Sequence, residues 1–87
     1  MPKSDNQKLS LLYIRDYLEQ NTDEDHPATA QDLIDMLDRK GIACERKTVY
    51  SHIAALQDYG LDIVNRRGRS GGYYIASRNF ELPELKL

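Results

Sequence analysis

Apolar residues recur with the spacing of an amphipathic helix in three segments of the chain. The first segment, residues 7–20, has a broad apolar stripe made of Leu11, Ile14 and Leu18 together with Leu12, Tyr13 and Tyr17. Because positions three, four and seven apart share one face of a 3.6-residue helix, this stripe predicts a helix with one buried face. Residues 1–6 are polar and have no periodicity, so we expect a flexible N-terminal tail there.

The second segment has a start signal, a stop signal and a regular apolar stripe. Its stripe consists of Ala30, Leu33, Ile34 and Leu37, which follow one another at i, i+3, i+4 and i+7. Thr29 is a typical N-terminal cap, and Asp32 places an acid near the positive end of the helix. Gly41 is typical of the left-handed residue that follows a helix. We therefore predict a second helix between Thr29 and Gly41.

The third segment runs from Glu45 to Gly60, and the other predicted elements lie on either side of it in the chain. Val49, Ile53 and Leu56 recur at i, i+4 and i+7 and predict one buried stripe. Glu45 stands where the helix begins and can accept hydrogen bonds from the free backbone N–H groups of the first turn. The opposite face of this helix is polar, and only a short turn separates it from the second helix.

Beyond Gly60 the helical spacing gives way to alternation with a period of two. Alternating apolar residues predict two strands, residues 62–66 and 72–76, joined by a glycine- and arginine-rich loop that we expect to be mobile. Three helices followed by a hairpin is the element order of an α+β winged helix-turn-helix, with the hairpin as the wing. We assign residues 7–78 to this single domain and residues 79–87 to the start of a linker.

The distribution of charge points to a polyanionic partner, although the net charge of the 87 residues is −2. Residues 1–38 carry 3 basic and 9 acidic side chains, whereas residues 39–78 carry 8 basic and 3 acidic ones. The balance is thus −6 in the first part and +5 in the second, and the remaining residues 79–87 contribute −1. A basic half beside an acidic half indicates that one face meets a polyanion such as nucleic acid.

The third helix and the loop between the strands supply the side chains for such contacts. A helix fits the major groove of B-DNA, and polar residues on its outward face can reach base edges. Arginine and glycine in a loop suit phosphates and the narrow minor groove. We predict base readout by Lys47, Thr48, Ser51 and His52, and backbone or minor-groove contacts by Arg46, Tyr50, Arg66, Arg67 and Arg69.

Other chemistries have weaker support in the sequence. The lone Cys44 with the distant His52 is a remote candidate for a thiol nucleophile, but a single cysteine beside Ile42 is more often a small buried side chain. Two histidines and one cysteine do not make a metal site, and the acidic run at residues 23–25 is most simply a solvated loop. We predict no enzymatic activity, no cofactor or small-molecule ligand, and no membrane segment.

Several segments resemble a known family. The runs ERKTVYSHIAALQDYGLDIV and GGYYIASRNFELPELKL, together with KLSLLYIRDYLEQNTDEDHPATAQDLIDML, are similar to the N-terminal winged helix-turn-helix of WYL-domain transcriptional regulators. The similarity covers about residues 7–87, and its most specific parts are KTVY, IAALQDYGLDI and GGYYIASRNFEL. Where many relatives have an Arg-Asp pair after the KTVY-like motif, this chain has Ser51 and His52, so the DNA sequence read by relatives does not transfer.

The resemblance implies a bacterial, cytoplasmic regulator of transcription that binds double-stranded DNA. In that family a C-terminal domain, named for its Trp-Tyr-Leu signature, senses a ligand and helps to form a homodimer. We expect the chain to be the DNA-binding half of such a protein, or a naturally truncated one, with the C-terminal domain absent after residues 79–87. The alternative function is a winged-helix module that binds another protein rather than DNA.

Overall fold

Three α-helices and a two-stranded hairpin follow one another along the chain. The computed structural model describes residues 3–69 and 71–77, and the side chains of residues 6–69 and 71–76. The elements are α1 (Lys3–Asn21), α2 (Ala30–Arg39), α3 (Arg46–Tyr59), β1 (Asp62–Arg66) and β2 (Gly72–Ser77). The antiparallel pairing of β1 with β2 confirms the predicted α+β winged-helix layout.

The first helix begins earlier than its apolar stripe suggests. Helix α1 starts at Lys3, four residues before the predicted start at Gln7, so residues 3–6 are helical and do not form a separate coil. The Ser10 hydroxyl donates to the Asn6 carbonyl at 2.8 Å, which ties this first part of the helix to the next turn. A turn made of polar residues has no apolar stripe, and hydrophobic periodicity therefore does not detect it. Residues 1 and 2 lie outside the described residues.

Both predicted ends of α2 are confirmed by their hydrogen bonds. The Asp32 N–H donates to the Thr29 hydroxyl at 3.0 Å, and the Thr29 N–H donates to the Asp32 carboxylate at 2.9 Å, which is a capping box. At the other end Gly41 has φ 82, and the Ile42 N–H reaches back to the Leu37 carbonyl at 2.9 Å. That hydrogen bond, which brings together the apolar residues Leu37 and Ile42, is typical of a Schellman cap.

Helix α3 begins without the side-chain cap that its sequence predicts. Glu45 occupies the N-cap position, but its carboxylate makes no capping hydrogen bond. Its backbone carbonyl instead accepts from the N–H groups of Thr48 and Val49 at 3.0 and 3.1 Å. A glutamate side chain is one methylene longer than the aspartate that caps best, which makes the compact ring of a short side-chain cap harder to close. Gly60, with φ 129, ends the helix as predicted.

The core lies where the three helices meet the inner face of the hairpin. Five side chains from the three helices are completely buried there, namely Ile14, Leu18, Leu33, Leu37 and Val49. The hairpin adds Ile63 and Ile75, which face each other across the strand pair. The period of two predicted for the strands is therefore confirmed at the inward positions, and β2 extends one residue past its predicted end, to Ser77.

A third segment joins the hairpin without any signal in the sequence pattern. The Ala28 N–H donates to the Tyr73 carbonyl at 2.8 Å, and the Tyr73 N–H donates to the Ala28 carbonyl at 2.7 Å. This isolated β-bridge places the residue before the α2 cap alongside β2. Gly72 permits the contact, because a Cβ atom at this position would lie 2.7 Å from the Ala28 carbonyl oxygen. A side chain at residue 72 would thus push the two segments apart.

No helix in the described part of the chain is long and apolar enough to cross a membrane.

Replacing Gly72 by alanine should destabilise the fold more than replacing Gly41. Both glycines have positive φ, at 147 and 82, and a left-handed alanine costs roughly 1–2 kcal/mol. At Gly41 the new methyl group meets nothing within 4 Å, whereas at Gly72 it also meets the Ala28 backbone. We expect urea denaturation, followed by circular dichroism, to show a larger decrease in unfolding free energy for Gly72→Ala. Equal decreases would mean that the Ala28 segment adapts without cost.

Candidate nucleic-acid interface

A basic groove lies between the start of α2, the start of α3 and the hairpin. Its volume is about 640 Å³. The groove is lined by Thr29, Ala30, Arg46, Tyr50, Asn65, Arg66, Arg67, Gly68, Arg69, Gly71, Gly72 and Tyr73. Four of these described lining residues are arginines and none of them is acidic. The fold thus brings together Arg46 and hairpin arginines that are 20 or more positions away in the chain.

The four arginines of the groove carry no carboxylate partner among the described residues. The Arg15–Asp16 ion pair and the His26–Asp23 contact, both in that part of the chain, lie elsewhere. Arg46, the first residue of α3, instead donates to the neutral Gln31 side chain at 2.7 Å and thereby links α3 to α2. Uncompensated positive charges in one groove create a local positive potential, which attracts anions.

The hairpin holds its arginines in a compact turn. The Gly71 N–H donates to the Gly68 carbonyl at 3.0 Å, and Gly68 has φ 106. A Cβ atom on Gly71 would lie 2.5 Å from the Arg66 carbonyl oxygen, so the chain folds back closely on itself. The Arg66 guanidinium lies over the Tyr74 ring, 5.4 Å from its centroid, which supports the base of the turn. Ser70 lies outside the described residues, and the predicted mobility of this loop stays a prediction.

The exposed face of α3 contains only some of the residues predicted for base readout. Lys47 and Ser51 are exposed and lie on the side opposite the buried stripe. Thr48 is half-buried at the edge of that face. Tyr50, predicted as a backbone contact, is 47% exposed and lines the same groove as the arginines. The first two turns of α3 therefore present a polar, accessible surface beside the arginine groove.

His52 lies at the edge of that surface. Residue 52 is three positions after Val49 and four before Leu56, so it lies at the border of the apolar stripe. The ring is half-buried, and its Nε2 atom is shielded from solvent with no partner among the described residues. Burial lowers the pKa of His52, which favours the neutral ring. His52 thus lies half-buried at the edge of the outward face, and its predicted role in base readout stays a prediction.

The structure adds to the groove a tyrosine that the sequence pattern does not single out. Tyr73 packs near Tyr50, with ring centroids 6.5 Å apart and ring planes at 55°. Burial, and then the neighbouring Tyr50, raise the pKa of Tyr73, so its hydroxyl stays protonated as a hydrogen-bond donor. In the sequence Tyr73 is only one of the alternating strand residues. Its place in the groove follows from the Ala28 bridge, for which the sequence has no periodic signal.

The remaining candidate chemistries gain no support from their surroundings. Burial, and then the Glu45 carboxylate, raise the pKa of the Cys44 thiol, which lowers the fraction of nucleophilic thiolate. No group of three or more potential metal ligands occurs in the described part of the chain. In the acidic loop, Asp23 accepts from the Asp25 N–H and contacts the His26 ring at 2.9 Å. That hydrogen bond with His26 lowers the pKa of Asp23.

Comparisons of the chain with protein-family models, with curated proteins and with solved structures find no match. The resemblance to WYL-domain regulators therefore stays a prediction from the sequence motifs alone.

We expect His52 to titrate at a lower pH in the folded chain than in the unfolded one. An unfolded histidine has a pKa of about 6.5, and burial lowers the folded value. As the pH falls below about 6.5, the unfolded state then binds more protons than the folded state. The stability contributed by neutral His52 is therefore complete above that pH. It declines as the pH falls through the folded pKa.

An NMR pH titration of the His52 Cε1–H signal tests this expectation, with the urea-unfolded chain as the reference. In the same pH range, unfolding free energies should fall more steeply for the wild type than for His52→Gln. A folded midpoint at or above the unfolded one would show that the ring is hydrated and free to face a ligand.

Proposed function

We propose that the chain binds duplex DNA through one basic face and serves as the DNA-binding part of a transcriptional regulator. The basic face consists of the exposed first two turns of α3 and the arginine groove beside it. The observation that carries the proposal is the set of four arginines without carboxylate partners among the described residues, next to an accessible helix face. A DNA backbone neutralises such charges and releases counterions when it binds.

In this proposal the helix and the hairpin have different tasks. Helix α3 enters the major groove, where Lys47 and Ser51 reach base edges through charged and hydroxyl hydrogen bonds. Arg67 and Arg69, on the hairpin turn, contact phosphates or the adjacent minor groove. Tyr50 and Tyr73 line the groove between the helix and the hairpin turn, and their hydroxyl groups are hydrogen-bond donors. Phosphate contacts set the position of the domain, and the base contacts supply its sequence preference.

The regulatory part of the proposal rests on the resemblance to WYL-domain regulators. That resemblance favours a bacterial regulator whose C-terminal domain forms the homodimer and presents two copies of this module to two DNA half-sites. One module of this size buries about 600–1,000 Å² on DNA, which favours modest affinity for a single copy. Because the contacts are mainly between arginines and phosphates, binding should depend strongly on salt.

A protein-binding winged helix is the second candidate function. The observation in its favour is the combination of arginines with Tyr50, which is 47% exposed, because arginine and tyrosine are enriched at the centres of protein interfaces. An acidic protein surface would meet the same face. The two functions differ in their response to salt and to the length of a duplex, and a direct binding assay therefore separates them.

Removing two arginines from the hairpin turn should weaken DNA binding and its dependence on salt. The slope of log K against log salt is negative, and we expect Arg67→Ala/Arg69→Ala to bring it closer to zero by about 0.9 for each phosphate that is no longer neutralised. Fluorescence anisotropy with a labelled mixed-sequence duplex, measured at several salt concentrations, provides the slopes. Arg39→Ala is the matched control, since Arg39 lies at the far end of α2 in a different groove.

Charge reversal on the same face gives the decisive outcome. Lys47→Glu and Arg67→Glu should each abolish measurable binding at moderate salt, whereas Arg39→Glu should change it little. Binding that survives both reversals would contradict the proposed face. An absence of binding by the wild type at low salt would reject DNA as the partner of this chain and direct the search to acidic proteins.

A further inference from the structure

A row of three hydrogen-bonded side chains joins α2 to the start of α3 beside the basic groove. The Arg46 Nη2 atom donates to the Gln31 Oε1 atom at 2.7 Å, and the Gln31 Nε2 atom donates to the Asp35 carboxylate at 2.9 Å. Arg46 is 15 positions from Gln31 in the sequence, whereas Asp35 lies one helical turn after Gln31 on the same face of α2. The function proposed above counts Arg46 among the groove arginines and uses neither Gln31 nor Asp35.

The two neighbours of the Gln31 amide fix its orientation. An arginine side chain can only donate hydrogen bonds, and an ionised carboxylate can only accept them. The reversed amide would place its NH₂ group against the Arg46 donors and its oxygen against the Asp35 carboxylate. One orientation therefore satisfies both neighbours, and in that orientation Asp35 keeps the Gln31 oxygen directed at Arg46.

The backbone that carries Gln31 is itself well fixed. Gln31 is the second residue of α2 and lies within the capping box that Thr29 and Asp32 form. Just before the cap, Ala28 is joined to β2 by two backbone hydrogen bonds. A side chain on such a backbone can hold a group of the next helix at a set place.

The acceptor that holds Arg46 is neutral, so the positive charge of the arginine is not cancelled. Asp35 contacts the amide and forms no ion pair with Arg46 in the described part of the chain. A guanidinium has more N–H groups than the Gln31 oxygen uses, and a pair of parallel N–H groups is left for two oxygens of a phosphate. The contact thus restricts the position of Arg46 and leaves it able to bind an anion.

Arg46 is also placed where a nucleic-acid strand would reach it. The residue is exposed and lines the basic groove from the side of the helices. Arg66, Arg67 and Arg69 line the same groove from the hairpin. A phosphate chain in the groove would therefore meet positive charge from α3 as well as from the hairpin.

We infer that Gln31 is a positioning residue that presents Arg46 to one phosphate group of the bound nucleic acid. The inference rests on the proposed function and assigns tasks within it: Asp35 orients Gln31, Gln31 holds the guanidinium, and Arg46 contacts the phosphate. A free arginine loses rotamer freedom when it binds, whereas one that is already held loses less. Ordering one long side chain at an interface weakens binding roughly twofold to tenfold, and the Gln31 contact reduces this loss.

Two substitutions at residue 31 separate the position of Arg46 from its charge. Gln31→Ala releases the arginine and should weaken binding of a labelled mixed-sequence duplex roughly twofold to tenfold, with the salt slope unchanged. Gln31→Glu replaces the neutral acceptor by a carboxylate that pairs with Arg46. Its slope of log K against log salt should therefore come closer to zero by about 0.9, as for Arg46→Ala. Fluorescence anisotropy at several salt concentrations provides these values.

Two controls show whether the effects pass through Arg46. Gln20→Glu adds the same charge on α1, in the groove that contains Arg39, and should leave the slope unchanged. In an Arg46→Ala background, Gln31→Ala should no longer weaken binding, because the side chain that it releases is absent. Equal weakening by Gln31→Ala with and without Arg46 would overturn the inference, and so would an unchanged slope for Arg46→Ala.

NMR relaxation of the Arg46 Nε–H group tests the positioning in the absence of DNA. The side chain should be more restricted in the wild type than in Gln31→Ala, while the Arg39 Nε–H group should be the same in both. Duplex binding by a wild type whose Arg46 is as mobile as in Gln31→Ala would overturn the inference alone. No binding by the wild type at low salt would reject the proposed function and, with it, the phosphate contact.

Discussion

Two backbone hydrogen bonds between Ala28 and Tyr73 hold the hairpin against the helices. They are 2.8 and 2.7 Å long, and each contributes on the order of 1 kcal/mol to stability when water is excluded from the pair. The residue after Ala28 caps α2, so the same short segment fixes the start of that helix. Gly72 makes the close approach sterically possible. The basic groove exists because the hairpin stands at this distance from the starts of α2 and α3.

Helix α3 connects the core to the basic face. Its stripe of Val49, Ile53 and Leu56 is buried against the rest of the domain, which fixes the direction in which Lys47 and Ser51 point. Burial of the three apolar side chains stabilises the fold by roughly 1.5–3 kcal/mol each, so rotation of the helix about its axis is strongly opposed. The polar face is therefore presented in a single orientation, although none of its exposed residues contributes to the core.

Some parts of this structure follow directly from local sequence. The bounds of β1 are as predicted, because period-two alternation and the flanking glycines specify a short half-buried strand. Thr29 and Gly41 mark the ends of α2 as predicted, because capping depends on residues close together in the chain. The polar first turn of α1 does not follow from the sequence pattern, since its residues have no apolar periodicity.

The candidate site was only partly predictable for a related reason. Arginine and lysine positions are visible in the sequence, but the groove they share depends on a one-residue bridge between segments 45 positions apart. A single bridging residue such as Ala28 leaves no periodic trace. The polar character of His52 suggests the outward face, whereas its angle around the helix places it beside the stripe. Its half-buried position depends on this angle, which the polar character of the residue does not reveal.

The bridge at Ala28 also sets the distance between the hairpin turn and α3. Tyr73 cannot move along or away from the α2 start without breaking both hydrogen bonds, so the separation between the hairpin turn and the exposed face of α3 is set by the fold. For the proposed binding mode, a duplex must match that separation with its own spacing between the major groove and the next backbone ridge. Duplexes that are bent or have an altered groove width would contact either α3 or the hairpin turn, but not both. Selection by DNA shape, at base pairs that no side chain touches, would then follow from a contact between two backbone segments of the protein.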